Sequence, residues 1–196
     1  MTRRALCSVI ATGIVCGCAS SPPLRYYVLS DTPAESRTAV PADTMSVRLD
    51  RVTIPTELDR AEMLLRLDPT RVRLMEGDRW AAPLDDMIRR VLTDNLAARL
   101  PPHLVADPNE PATGEHSRSL TVDIQEFDGD PTCAVTLRAT WTLKAPDSPI
   151  ARGSEEIHKP SASGCAGAAS LPAPMSNALA QLSDRLVAAL ANTGAH

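Results

Sequence analysis

Two cysteines near the start of the chain are the first residues whose type and spacing suggest chemistry. In Val15-Cys16-Gly17-Cys18, an aliphatic residue and two small residues precede the thiol of Cys18. A thiol in this setting accepts a diacylglyceryl thioether, and small residues before it let a signal peptidase admit the backbone. Cys16 is a second candidate acceptor, but bulky Ile14 and Val15 precede it. The pattern predicts cleavage before Cys18 and lipidation of Cys18, with palmitate among the acyl groups.

The residues before Cys18 have the composition of an export signal. Arg3 and Arg4 precede an uncharged apolar run from Ala5 to Val15. This run is shorter than the about 20 apolar residues of a transmembrane helix, and it matches the apolar part of a signal peptide. We therefore predict a lipoprotein signal peptide at 1–17 and a lipidated tether at 18–25. The alternative is a plain secretory signal that happens to end near a cysteine.

The residue after the predicted lipid acceptor indicates which membrane holds the protein. Ala19 follows Cys18, where aspartate would favour retention in the inner membrane. By the usual bacterial sorting rule, this choice favours the outer membrane. The predicted location is the periplasmic face of the outer membrane, with the lipid anchor as the attachment and a periplasmic domain at 26–196.

Two further cysteines predict a disulfide. Cys7 and Cys16 would leave with the signal peptide and Cys18 would carry lipid, so Cys133 and Cys165 remain as a pair. Exported proteins meet an oxidising compartment in which disulfides persist. Cys165 follows a strand that returns beside Cys133 and lies in a loop that can bring the two thiols together. Two free thiols are the alternative.

The remaining polar residues do not assemble a catalytic or metal site in the sequence. No Walker loop, G-x-S-x-G or H-E-x-x-H motif is present. Asp85 and Asp86 suggest helix-start acids rather than paired catalytic carboxylates, and Glu155 and Glu156 point to opposite faces of a strand. The sequence therefore predicts no enzyme, no metal and no cofactor. Its histidines are scattered through predicted loops and ends: His103, His116, His158 and His196.

The composition of the chain argues against a nucleic-acid partner. The formal net charge is −4, whereas nucleic-acid binding calls for a basic face. Aromatic residues make up 3% of the chain, too few for a platform that stacks bases or sugars. We therefore predict no nucleic-acid partner.

Hydrophobic periodicity predicts the elements that surround these residues. Apolar residues recur at helical spacing in 83–99 and 175–191. They alternate with polar residues in 132–143, which is typical of a strand with one buried face. The order is strands, helix, strands, helix. It predicts an α+β fold, a mostly antiparallel sheet with two amphipathic helices packed on one face.

Two aromatic pairs are candidates for contact with a partner. Trp80 either packs where the chain enters the first helix or joins Arg79 in a contact surface, since Trp and Arg are enriched at interface hot spots. Tyr26 and Tyr27 either belong to a first strand or form a membrane-proximal contact. Both alternatives stay open for each pair.

The chain resembles the PqiC/YmbA family of ABC-transport auxiliary lipoproteins over most of its length after Cys18. The resemblance rests on order and spacing together. Its carriers are Tyr26-Tyr27-Val28-Leu29, Val52-Thr53-Ile54-Pro55 with Leu58-Asp59-Arg60, Asp78-Arg79-Trp80-Ala81-Ala82-Pro83-Leu84, Leu120-Thr121-Val122 with Phe127, and the strand with Trp141.

The resemblance implies a function beyond the residues themselves. Family members are periplasmic domains tethered to the outer membrane that partner MCE-domain proteins of lipid-transport complexes. The implied role is a non-catalytic receiving or docking component, with a homo-oligomeric ring as one form of it. An envelope-assembly or cell-wall-regulating lipoprotein is the alternative, and a tethered enzyme is a third, disfavoured hypothesis.

Overall fold

The computed structural model describes residues 23–34, 36–40, 46–106, 117–145, 148–162 and 164–193. Cys18 and the predicted signal peptide lie outside these residues. The strands are β1 (Arg25–Tyr27), β2 (Ser46–Thr53), β3 (Glu62–Asp68), β4 (Arg71–Trp80), β5 (Ser117–Gly129), β6 (Val135–Ala145) and β7 (Ser148–Lys159). The α-helices are α1 (Leu84–Arg99), between β4 and β5, and α2 (Pro172–Thr193), after β7.

All these strands belong to one mixed sheet. Its order is β1-β4-β3-β5-β6-β7, and β2 also pairs with β5. The β3–β4, β5–β6 and β6–β7 pairs are antiparallel, whereas β1–β4, β2–β5 and a single β3–β5 bridge are parallel. The predicted α+β class is confirmed. The sheet is mixed because β1 and β2 join it in parallel, whereas the sequence predicts a mostly antiparallel sheet.

The two helices cover the buried face of the sheet. Along β6, Val135, Leu137 and Ala139 are fully buried, while Arg138 between them is exposed. Helix α2 packs on β6 and β7, and α1 packs on β2 and α2. The predicted apolar stripes of both helices are buried there: Leu84, Met87, Ile88, Val91, Leu92 and Leu96 in α1, and Met175, Leu179, Leu182, Leu186, Val187 and Leu190 in α2.

Two local predictions are wrong. The sequence Glu76-Gly77-Asp78 predicts a turn, but these residues belong to β4, with the positive φ of Gly77, +83°, inside the strand. Cys133, predicted at the start of a strand, lies in the turn before β6 with a φ of +59°. The Asp130 carboxylate shapes this turn by accepting hydrogen bonds from the backbone N–H groups of Thr132 (2.8 Å) and Ala134 (3.0 Å).

Candidate partner surface at the β1–β4 junction

The parallel pairing of β1 and β4 brings together the two predicted contact pairs. Tyr26 lies opposite Arg79, and Tyr27 lies opposite Trp80. The backbone N–H of Ala81 continues the contact by donating to the carbonyl oxygen of Tyr27 at 2.9 Å. Residues more than 50 positions apart in the chain therefore form one short patch at the edge of the sheet.

The exposed part of this patch carries an aromatic ring and an ion pair. Tyr26 is 60% exposed. Arg79 forms an ion pair with Glu62 across β3 and β4, with 3.3 Å between Nη2 and Oε1, and both side chains are more than a third exposed. Tyrosine and arginine beside each other are typical of protein-protein contact surfaces. We call Tyr26, Arg79 and Glu62 the Tyr26 surface.

Trp80 supports this surface from below and does not form part of it. Its residue exposure is 6%, and it lines the core with Leu84, Phe127 and Met175. Its backbone N–H donates to the carbonyl oxygen of Ala61 at 2.7 Å, which fixes the start of the connection into α1. The sequence left two alternatives for Trp80, packing where the chain enters α1 or a contact surface with Arg79. The structure shows the first.

Asp78 holds β1 against β4. Its side chain is 3% exposed and accepts two hydrogen bonds from the Arg25 guanidinium, at 2.7 and 2.8 Å, and one from the Tyr27 hydroxyl at 3.0 Å. The bond to Asp78 raises the pKa of Arg25. Desolvation, and next the bond to Asp78, raise the pKa of Tyr27, so both groups stay protonated at neutral pH. We call Arg25, Tyr27 and Asp78 the β1 clamp.

The sequence analysis did not single out Arg25 or Glu62, and it used Asp78 only as part of the family resemblance. The signal that could have found Asp78 is an acidic residue between Gly77 and an arginine-tryptophan pair in a strand. No local pattern pairs it with Arg25, because the contact requires the parallel register of β1 and β4.

The structure joins Cys133 and Cys165 in a disulfide, with 5.1 Å between their Cα atoms. Cys133 is fully buried at the start of the β6 face. The bridge ties the loop before α2 to the turn between β5 and β6, at the same end of the sheet as the β3–β4 turn.

A cluster of charged side chains lines a cavity of about 520 Å³ on the open face of the sheet. The Arg66 guanidinium donates to the Asp128 carboxylate at 2.7 and 2.9 Å, and its pKa is raised chiefly by this bond. Glu126 lies 3.8 Å from Arg66 and pairs with Arg138. These charges are paired with one another, so the cluster stabilises the open face rather than presenting a reactive group.

Other sequence candidates remain apart in space. Among the described residues, no group of three or more His, Cys, Asp or Glu side chains is arranged to hold a metal ion. His158 faces Thr136, with 3.3 Å between Nδ1 and Oγ1, and Glu155 pairs with Arg185. His116 and His196 lie outside the described residues. In the part of the chain that the structure describes, no helix is long and apolar enough to cross a membrane.

The fold and its edge surface define a class of small α+β domains with two helices on one face of a mixed sheet. A structure from Xanthomonas campestris shares this fold at a TM-score of 0.70 and 18% identity, covering 87% of this chain and 96% of that one. A crystal structure of an uncharacterized protein does so at a TM-score of 0.71 and 19% identity, covering 86% and 99%. These similarities show the fold.

Sequence comparison identifies the family. The family model for the ABC-type transport auxiliary lipoprotein component matches residues 27–187, so the chain belongs to that family. It is also similar to the intermembrane transport lipoprotein PqiC of Escherichia coli, at 26% identity over 135 residues, which cover 68% of this chain and 71% of the relative. The PqiC of Shigella flexneri matches with the same identity and coverage.

Proposed function

We propose that this chain is an outer-membrane-anchored periplasmic lipoprotein that acts as a non-catalytic docking component of an MCE-type intermembrane lipid transport system. The observation that carries the proposal is the family match over residues 27–187. The curated relatives are named as intermembrane transport lipoproteins, which supports a role between two membranes.

The anchor in this proposal is Cys18, with cleavage of residues 1–17 and lipid on the new N-terminus. Several acyl chains on one cysteine hold a protein at a membrane stably, because each buried methylene adds about 0.8 kcal/mol. A force on the tether would act on the folded domain at β1, which the β1 clamp holds in place through hydrogen bonds to Asp78.

The docking site in this proposal is the Tyr26 surface, and the partner is an MCE-domain protein. Tyr26 presents an exposed ring beside the Arg79–Glu62 ion pair. An exposed ring and a paired arginine offer both apolar area and directional hydrogen bonds to a partner. A homo-oligomeric form of the chain belongs to the same proposal, since a docking ring would repeat the surface around an axis.

The test is an affinity pull-down of the lipidated protein from envelope membranes, with mass spectrometry of the proteins recovered. We expect an MCE-domain protein and its permease. A Tyr26→Ser, Arg79→Ser double variant should recover much less of both, while Ile150→Ser, at an exposed apolar position far from β1, should recover as much as the parent. Recovery of only outer-membrane assembly factors or cell-wall synthases would replace the proposal with the alternative role.

A further inference from the structure

The β3–β4 hairpin leaves the first half of β4 open to solvent. In β4, Arg71, Val72, Arg73 and Leu74 are all exposed, so both faces of the strand are open. Leu67 is 37%, Val72 43% and Leu74 41% exposed, and all three lie within the hairpin. A monomeric protein rarely leaves such a group of apolar side chains open to water without a use for it.

Pro23 and Leu24, the two described residues before β1, direct the chain toward the tip of this hairpin. β1 is parallel to β4, with Arg25 opposite Asp78, so the residues before Arg25 lead back toward the start of β4 at Arg71. Pro23 already follows this course. Its carbonyl oxygen lies 3.8 Å from the position a side chain would take at Gly77, the residue before Asp78.

The tether and the hairpin have matched lengths. Cys18 precedes Arg25 by seven residues (25 − 18), a chain that reaches at most about 25 Å. Arg71 precedes Asp78 by the same seven residues (78 − 71), which span about 23 Å of strand. A lipid on Cys18 therefore cannot lie far beyond the hairpin tip. If the tether is not fully extended, the distance between the membrane surface and the hairpin tip is smaller still.

From these observations we infer that the β3–β4 hairpin tip rests in the headgroup region of the membrane that holds the lipid anchor. The inference rests on the proposed lipidation of Cys18. Leu67, Val72 and Leu74 supply apolar contact at the acyl boundary. Arg73 meets lipid phosphates, and Arg71, whose guanidinium also pairs with Asp68, lies two residues before it. The β6–β7 turn lies at the opposite end of the sheet and faces away from the membrane, since β6 runs away from the end of β5 that lies beside β3.

The test uses the full-length lipidated protein in vesicles of phosphatidylethanolamine and phosphatidylglycerol. An environment-sensitive fluorophore is attached at Val72→Cys, at Leu74→Cys or, as the matched control, at Ile150→Cys beside the β6–β7 turn. Ile150 is 37% exposed, as is Leu67. Intact mass reports the lipid on Cys18, and co-flotation with vesicles reports anchoring.

We expect a blue-shifted emission and quenching by a lipid-borne nitroxide at positions 72 and 74, with neither change at position 150. Lipidated, anchored protein whose position 72 and 74 probes resemble the position 150 probe would overturn the inference and leave the anchor in place. The same samples are also treated with a chemical cross-linker. A blue shift without quenching by the lipid-borne nitroxide, together with cross-linked dimers, would show that the hairpin contacts a second copy of this chain and would overturn the inference. Protein without lipid on Cys18 would overturn both the inference and the proposed anchor.

Discussion

Asp78 shows how one buried carboxylate can hold a short first strand against the rest of the domain. β1 has only three residues, so its backbone pairing with β4 is short. The carboxylate adds three side-chain bonds to that pairing, from Arg25 and Tyr27. Hydrogen bonds to a charged group are stronger than those between neutral groups, which makes Asp78 the residue on which β1 depends most.

We expect Asp78→Ala to lower the free energy of unfolding by about 1–2 kcal/mol, because it leaves the buried end of β1 without an acceptor. The loss is no larger because the Arg25 side chain is 64% exposed, so water can hydrogen-bond to its guanidinium once Asp78 is gone. Urea unfolding of the purified domain measures it. Asp94→Ala, which removes an exposed pair with Arg90, is the control and should cost less than about 0.5 kcal/mol. Equal losses in the two variants would contradict the role of Asp78.

Asp130 gives a second prediction, in the dependence of stability on pH. Partial burial acts to raise the pKa of Asp130, but hydrogen bonds from Thr132 and Ala134 outweigh it and hold the pKa below the ordinary 3.8. A carboxyl with a lowered folded pKa stabilises the protein above the unfolded pKa, and this stabilisation is lost as the pH falls through the folded pKa. Asp130→Asn should therefore destabilise the protein at pH 7.

The pH series separates this charge effect from a simple change of side chain. The difference in unfolding free energy between the parent and Asp130→Asn should shrink as the pH falls from about 5 to about 2. Chemical denaturation at each pH measures it. A difference that stays constant over this range would show that the charge of Asp130 contributes nothing to the turn.

For the helices and strands, sequence periodicity is sufficient to predict the type of element and its buried side where the element has one buried face. The stripes of α1 and α2 and the alternation in β6 all lie against the core, as their spacing predicts. The partners of β1 and β2 could not be predicted. Parallel pairing to β4 and β5 joins distant segments and leaves no repeating pattern in the short strands themselves.

The contact between β6 and β7 gives a prediction at this scale. A Cβ atom on Gly153 would lie 2.6 Å from ring atoms of Trp141, its partner across the strands. Gly153→Ala should therefore displace the indole and lower the unfolding free energy by about 1–3 kcal/mol. Near-ultraviolet circular dichroism and urea unfolding report the two effects. Ser154→Ala, at the exposed neighbouring position, should change neither, and an unshifted Trp141 signal in Gly153→Ala would contradict the close packing.

The disulfide gives a further prediction for the elements that it joins. Cys133 and Cys165 enclose a loop with a sequence separation of 32. Closing a loop of this length stabilises a protein by about 3.7 kcal/mol, mainly by restricting the unfolded chain. The Cys133→Ala, Cys165→Ala double variant should lose about that amount in urea unfolding. The same loss should follow reduction of the parent protein, and a reductant should have no effect on the double variant.

At the scale of the whole molecule, the two ends of the sheet have different surroundings in this account. The β3–β4 turn and the disulfide lie at one end, and the Ala145 end of β6 and the Ser148 end of β7 lie at the other. The sequence predicts the anchor and singles out Tyr26, Tyr27, Arg79 and Trp80, but it does not predict that Tyr26 and Arg79 are adjacent. Their adjacency depends on register across the sheet, which only the folded molecule provides.

Docking through the Tyr26 surface is tested most directly by photo-crosslinking in intact cells. A benzoylphenylalanine replaces Tyr26, and in a control it replaces Glu156, an exposed residue on the edge strand β7. Docking through this surface predicts a cross-linked product between position 26 and an MCE-domain protein, with little or none from position 156. Products at position 26 that contain only outer-membrane assembly factors or cell-wall synthases would contradict it.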